Sequence, residues 1–280
     1  MSGVDLHIHT TFSDSTLTPE EVVSEAVRVG LQAIAITDHD SIDGVGPALE
    51  SAKDQQLEVI PGLELATVLD GSEIHILGYF IDHRSKQLRS ELKILKDARI
   101  ERARKMVTRL AEHGVSISFD RVLAIAGSGV VARPHIAKAM LEEGLVSSYS
   151  EAFGRYIADD SPCCVLKQML SYAQAIELIV HSGGIPVLAH PKDRRTVARI
   201  PELVSCGLMG VEVWHPDHTG EFTKYLLSYA REHGLLVTGG SDSHGVKKGK
   251  PPIGRFDLPM KIVEDMRKFW ETHSSSADPP

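Results

Sequence analysis

The chain has 280 residues, 42% of them hydrophobic, and a formal charge of -8 at pH 7. That acidic balance excludes a broad basic face for nucleic acid, yet leaves room for phosphate chemistry if clustered divalent cations supply the positive charge. No stretch approaches the roughly 18 apolar residues of a membrane span, and three cysteines without a C-x-x-C spacing exclude a disulfide framework or a zinc ribbon. A cytoplasmic protein is expected, and any metal it binds would be held by nitrogen and oxygen.

The first strand-like run, VDLHIHTTFSD from Val4 to Asp14, places His7 and His9 on one face with Leu6 and Ile8 on the other. A metal can use that pair, but with 14 histidines in the chain chance also supplies an H-x-H. Thr18-Pro19-Glu20-Glu21 is a capping box with proline at the first helical position, and Val22, Val23, Ala26 and Val27 carry the helix to Gly30. Ala33 to Thr37 reads as a buried strand, Asp43 and Gly44 open a second helix toward Asp54, and LEVIPG is a third strand. This order implies parallel pairing through right-handed crossovers.

In LELATVLDGSEIHILGY, two extended runs flank Asp70-Gly71, a favoured two-residue hairpin turn. With that loop, His75 faces Ala66 and shares a face with Glu64, so their side chains can share an ion. Residues 85–168 lose the strand rhythm: a charged helix from about Ser85 to His113, ARPHIAKAMLEEG and SYSEAFGRYIADD all read as helical. We therefore expect a barrel domain in residues 1–84 and 169–273, a helical insertion domain in 85–168, and a disordered tail in 274–280. The strand rhythm returns in GIPVLAH, GLMGVEVWH and GLLVTGGSDSH, with helices around Arg199 to Cys206, Glu221 to His233 and Met260 to Thr272.

Polar residues gather where these strands end. His7 and His9 follow the first, Asp38, His39 and Asp40 the second, and Glu64 the third, while His190, His215, Asp242 and His244 close the later ones. In a βα barrel all those ends meet on one face, where barrel active sites are built. Imidazole and carboxylate without thiolate suit Zn, Mn or Fe, and there are more candidate ligands than one ion can use. A cluster of ions would polarise a phosphoryl oxygen, activate a water and stabilise the leaving oxygen, which is what phosphate ester hydrolysis requires. His83, His113, His181, His233 and His273 read instead as structural or surface residues. Asp5 and Asp38 have two readings each: strand-entry residue or cap, or support for a ligand.

In the insertion, Pro134 suits a first helical turn, so Arg133 and His135 lie at the positive end of a helix, where an anion binds readily. The alternative for Arg133 is a cap on a domain contact. His215 and His218 in HPDH are weaker candidates for the same task, and Lys192, Arg194 and Arg195 weaker still.

Taken in order, DLHIHTTFSD, AITDHD, PGLE, EIHILGY, LAHP and GGSDSH resemble the motifs of the PHP (polymerase and histidinol phosphatase) family of metal-dependent phosphoesterases. The helical insertion is similar to the branch of 3′,5′-nucleoside bisphosphate phosphatases and 5′ to 3′ ribonucleases. The resemblance implies a distorted (β/α)7 barrel and a site of two or three divalent ions (Mn, Zn or Fe). It implies that His7, His9, Glu64 and Asp242 hold the first ion and its hydroxide. Glu64 then bridges to a second ion with His75 and His190, and Asp14, His39 and His244 hold a third. Ser243 stands where the family usually has an aromatic residue, which leaves the ligands intact and bears on how substrate stacks. The implied substrate is a nucleoside 3′,5′-bisphosphate losing its 3′-phosphate, or the end of a short 5′-phosphorylated RNA, gripped through Arg133 and His135. The rivals are a histidinol phosphate phosphatase and a non-enzymatic PHP binding module.

Overall fold

The computed structural model describes residues 3–127, 129–246 and 252–274. The expected tail 274–280 lies outside the described residues except for Ser274, which ends the last helix. The chain divides into two compact units, Met1–Arg89 with Leu170–Pro280, and Ser90–Met169.

In chain order the first elements are β1 (Gly3–Ile8), α1 (Pro19–Val29), β2 (Leu31–Ile36), α2 (Val45–Ala52), β3 (Glu58–Leu69) and β4 (Ser72–Tyr79). Then come α3 (Lys86–Glu112), α4 (Phe119–Ala126), α5 (Arg133–Glu142), α6 (Tyr149–Ala152) and a π-helical turn at Phe153–Ile157. The chain continues through β5 (Leu170–Ser171), α7 (Tyr172–His181), β6 (Ile185–Leu188), α8 (Arg194–Ala198), α9 (Ile200–Ser205) and β7 (Gly210–Trp214). It ends with α10 (Gly220–Glu232), β8 (Leu236–Gly239), β9 (Leu258–Pro259) and α11 (Lys261–Ser274).

The first unit is built on a nine-stranded sheet in the order β8-β7-β6-β4-β3-β2-β1-β9, with β5 beside β3. Setting aside the two-residue strands β5 and β9 leaves seven, and these curl until the end of β8 meets β1. Ile8 bridges Ser243 in parallel register, and the His9 amide donates to the Ser243 carbonyl at 3.0 Å. The result is a nearly closed, distorted barrel with flanking helices. Its pairs are parallel except at β4, which runs antiparallel to both β3 and β6.

Local chemistry explains the framing. Thr18 accepts from the Glu21 amide and Glu21 reciprocates, with Pro19 in the first turn, so α1 starts at its capping box. The β3–β4 hairpin turns on Asp70 and Gly71, both at positive φ, and its register sets Ala66 against His75 and Leu69 against Ser72, as the Asp-Gly turn predicted. Val4 and Leu6 of β1 pack with Ala33, Ala35, Leu77 and Val187, and with Val263 and Met266 of α11. The second unit has its own core, in which Met106, Leu110, Val122, Ile136, Met140 and Ile157 are buried together.

Candidate metal centre

Glu64 is fully buried on β3, and the backbone beyond β2 holds it in place: its amide donates to the Asp38 carbonyl at 3.1 Å and its carbonyl accepts from the Asp40 amide at 2.9 Å. Its two oxygens face different partners. Oε2 lies 3.2 Å from His7 Nε2, 3.4 Å from His9 Nε2 and 3.0 Å from His39 Nδ1. Oε1 lies 2.7 Å from His75 Nδ1 and 2.9 Å from His190 Nε2. The His75 pairing follows from the hairpin register, whereas the others depend on barrel closure.

Asp242, two residues beyond the Gly240 that abuts β1, turns its Oδ1 to His9 Nε2 at 3.0 Å and to His7 Nε2 at 3.4 Å. The Nε2 atoms of His7 and His9 thus each lie within 3.0–3.4 Å of both Glu64 Oε2 and Asp242 Oδ1. A tetrahedron of zinc–ligand bonds of about 2.0–2.1 Å has edges of about 3.3 Å, close to these four nitrogen–oxygen spacings. On the far side, His244 Nε2 stands 3.3 Å from Asp14 Oδ1, while its Nδ1–H donates to the Asp242 carbonyl at 2.9 Å.

Among the described residues, four groups place their ligand atoms within 4.8 Å of one another: His9, Asp14, His39 and His244; His7, Glu64 and His190; His7, His9 and Asp242; and His39, Glu64 and His75. Several clusters able to coordinate ions thus adjoin one another. A buried atom among them, His9 Nδ1, has no hydrogen-bond partner, a costly arrangement for a polar group. The donors are all nitrogen and oxygen, as borderline and hard divalent ions require.

The electrostatics show how tightly the groups are coupled. Burial pushes the Glu64 carboxyl up, but the charges of His39, His75 and His7 overcome this and hold it well below the usual range. Asp242 and Asp14 are lowered in the same way, against burial, by surrounding histidines. Burial opposes charge on His7, yet Glu212, Glu64 and Asp242 together hold its pKa well above 6.5. Burial also opposes charge on His244, and the Asp14 hydrogen bond and charge raise it to about 9. His39 goes the other way, to about 3, because burial prevails. Strain accompanies the site: His190 and Asp242 both have positive φ, at 22° and 49°.

Of the residues expected to touch substrate, His215 lies at this site. Its Nδ1 accepts from the Asp217 amide at 3.2 Å, which leaves Nε2–H facing Asp242 Oδ2 at 3.3 Å. His218 donates from Nδ1 to the Val213 carbonyl at 2.9 Å. Arg133 and His135 belong to the second unit. Arg133 pairs with Asp159 at 2.5 Å, and His135 Nδ1 accepts from the Ala132 amide at 3.0 Å. Ser243 is fully buried, its hydroxyl accepting from the Gly245 amide. Outside the site, His113, His233 and His273 each donate from Nδ1 to the carbonyl four residues back in their helices.

Asp5 and Asp38 brace the loops that carry the ligands. Asp38 accepts from the Thr10 amide and hydroxyl and from the Ser13 hydroxyl, at 2.7, 2.6 and 2.6 Å. Asp5 accepts from the Ser241 and Gly254 amides at 2.9 and 2.8 Å. Sequence reasoning passed over one carboxylate altogether: Glu212, fully buried on β7, whose only signal was a charge between Val211 and Val213 in an otherwise apolar strand.

A family pattern described as the PHP domain matches residues 5–233. The chain belongs to the PHP domain family. Similar PHP proteins include the 3′,5′-nucleoside bisphosphate phosphatase of Chromobacterium violaceum, 31% identical over 266 residues that span 92% of this chain and 93% of that protein. The 5′-3′ exoribonuclease Rnm of Escherichia coli is 33% identical over 289 residues, spanning 98% and 96%. A solved structure from Bifidobacterium adolescentis, assigned as a metal-dependent phosphoesterase, aligns with a TM-score of 0.86 at 32% identity and covers 95% of each chain. With its ligand clusters, this PHP protein is a hydrolase, a metal-dependent phosphoesterase acting on small phosphorylated substrates. No described helix is long and apolar enough to cross a membrane.

Proposed function

We propose that the chain removes the 3′-phosphate of nucleoside 3′,5′-bisphosphates, or acts on the 5′ end of short phosphorylated RNA, using two or three divalent ions (Mn, Zn or Fe). The observation that carries the reading is the Glu64 carboxylate, whose oxygens lie against separate sets of imidazoles and so suit it to bridge ions. His7, His9, Glu64 and Asp242 would hold the first ion, Glu64 with His75 and His190 the second, and Asp14, His39 and His244 the third. Such ions supply Lewis acidity and an activated water. Glu64 would span the two ions, and His215 Nε2–H holds Asp242 Oδ2 so that Oδ1 stays turned to His7 and His9.

The full-length likeness to a bisphosphate phosphatase and to an exoribonuclease supports this substrate class. Arg133 and His135, at the N-terminus of α5, are the proposed phosphate-binding pair of the second unit, with His215 and His218 contributing at the barrel. The test is metal analysis by mass spectrometry on protein that is then assayed with phosphoadenosine phosphate, short 5′-phosphorylated RNA and histidinol phosphate. We expect bound metal and turnover of one or both of the first two. Preference for histidinol phosphate, or a metal-loaded protein inactive on every ester, would overturn the proposal.

A further inference from the structure

Glu212 belongs to none of the candidate ligand groups, yet both of its oxygens are committed at the heart of the site. Oε1 lies 2.9 Å from His7 Nδ1, and Oε2 accepts from the His190 amide at 2.8 Å. His7 is fully buried, so no solvent competes for that nitrogen. Its other nitrogen, Nε2, is the one that faces Glu64 and Asp242. A neutral imidazole carries one N–H, and the partner of that N–H decides which nitrogen keeps a lone pair. A carboxylate only accepts, so when an ion takes up Nε2 the one remaining hydrogen is held on Nδ1 by Glu212 and the Nε2 lone pair is left to the ion.

We infer that Glu212 is a positioning residue that holds His7 in its Nδ1-protonated form and pins the backbone of His190 in its left-handed conformation, so that one carboxylate on β7 aligns a ligand of each of two ions. The inference rests on the ligand roles proposed above for His7 and His190. It explains a charge in a strand that is otherwise apolar. It also explains how His190 is kept at a φ of 22°, a sparsely populated conformation that persists only where its surroundings impose it.

Glu212→Gln tests the hydrogen-bond logic without changing shape. The His190 amide can only donate, so the glutamine must give it the carbonyl oxygen. The NH2 group then faces His7 Nδ1, which must accept, and the hydrogen moves to Nε2. Zinc affinity of the full chain, measured by chelator competition, is expected to fall by about 10–100-fold while the circular dichroism of the zinc-free protein is unchanged. His7→Ala separates the two claims. If it binds zinc as the parent chain does, the ligand reading fails and the inference falls with it. If it binds weakly while Glu212→Gln stays within twofold of the parent, the inference alone is overturned. Should Glu212→Gln not fold, long-range 1H–15N spectra of histidine-labelled, zinc-loaded parent protein decide the matter. A hydrogen on His7 Nδ1 supports the inference, and a hydrogen on Nε2 overturns it.

Discussion

Gly240 sits where the barrel closes, and a methyl group there should open it. A Cβ at this position would stand 2.3 Å from the His7 amide nitrogen, 2.4 Å from the His7 Cβ and 2.8 Å from the His7 Cα. Non-bonded heavy atoms rest at about 3.5 Å or more, so Gly240→Ala requires β1 and the end of β8 to separate by about 1 Å. Both walls are backbone, and no rotamer change relieves the overlap. Overpacking of a rigid site costs about 1–3 kcal/mol, and the upper end applies here. At about 2–4 °C per kcal/mol for a unit of this size, the unfolding midpoint should fall by about 6–12 °C. The same displacement separates His7 from Asp242, whose facing atoms are 3.4 Å apart, so metal affinity should fall too. Gly46 in α2 has open space around its Cβ position, and Gly46→Ala should be neutral or stabilising by about 0.5–1 kcal/mol. Calorimetry and metal analysis of both variants provide the check. A Gly240→Ala protein that melts within about 2 °C of the parent and binds metal normally would refute the closure described here.

Asp38→Ala strands the Thr10 amide and hydroxyl, while the Ser13 hydroxyl keeps the Thr10 carbonyl as acceptor; at about 1–3 kcal/mol per buried unsatisfied group it should destabilise the first unit by about 2 kcal/mol or more in denaturant titration, and a loss under 1 kcal/mol would contradict the bracing role. In the metal-free chain His244 is raised from 6.5 to about 9, so its contribution to stability is full below about pH 6.5 and is lost as pH rises through about 9. Metal needs the neutral ring, so loading at pH 7 should release protons and tighten toward pH 9; titration calorimetry in buffers of different ionisation heat measures this, and no proton release would contradict it. Arg133→Ala should raise KM for a bisphosphate by about 10–100-fold, the worth of a charge-assisted hydrogen bond, with kcat little changed. Asp159→Ala, which frees the Arg133 guanidinium from its ion pair, should lower that KM, and steady-state kinetics on both variants decide the point.

What could be read from the sequence followed from local chemistry. The capping box of α1 and the Asp-Gly turn act over a few residues, and the turn alone set His75 within reach of Glu64. The βα rhythm named the strands whose ends converge. The two-residue strands β5 and β9 have no periodicity to read. Glu212 stayed hidden for a different reason: its partner His7 lies 205 residues away in sequence, and only barrel closure shows that its charge is compensated. For Asp5 and Asp38 the sequence allowed two readings, and what separated them was the identity of their donors, which lie in loops that only the fold brings near.

That difference in donors divides the buried carboxylates by role. Asp5 and Asp38 take amides and hydroxyls, and burial pushes both carboxyls up despite those bonds. Glu64 takes imidazoles and Glu212 an imidazole and one amide, and the positive charge of the surrounding histidines outweighs burial and pulls both down. A carboxylate held down by imidazolium needs those protons whenever no ion is present. His7 and His244, both raised, are the groups that carry them. An ion that binds those rings must therefore displace the protons that compensate the buried acids of the metal-free site, which ties metal affinity to pH.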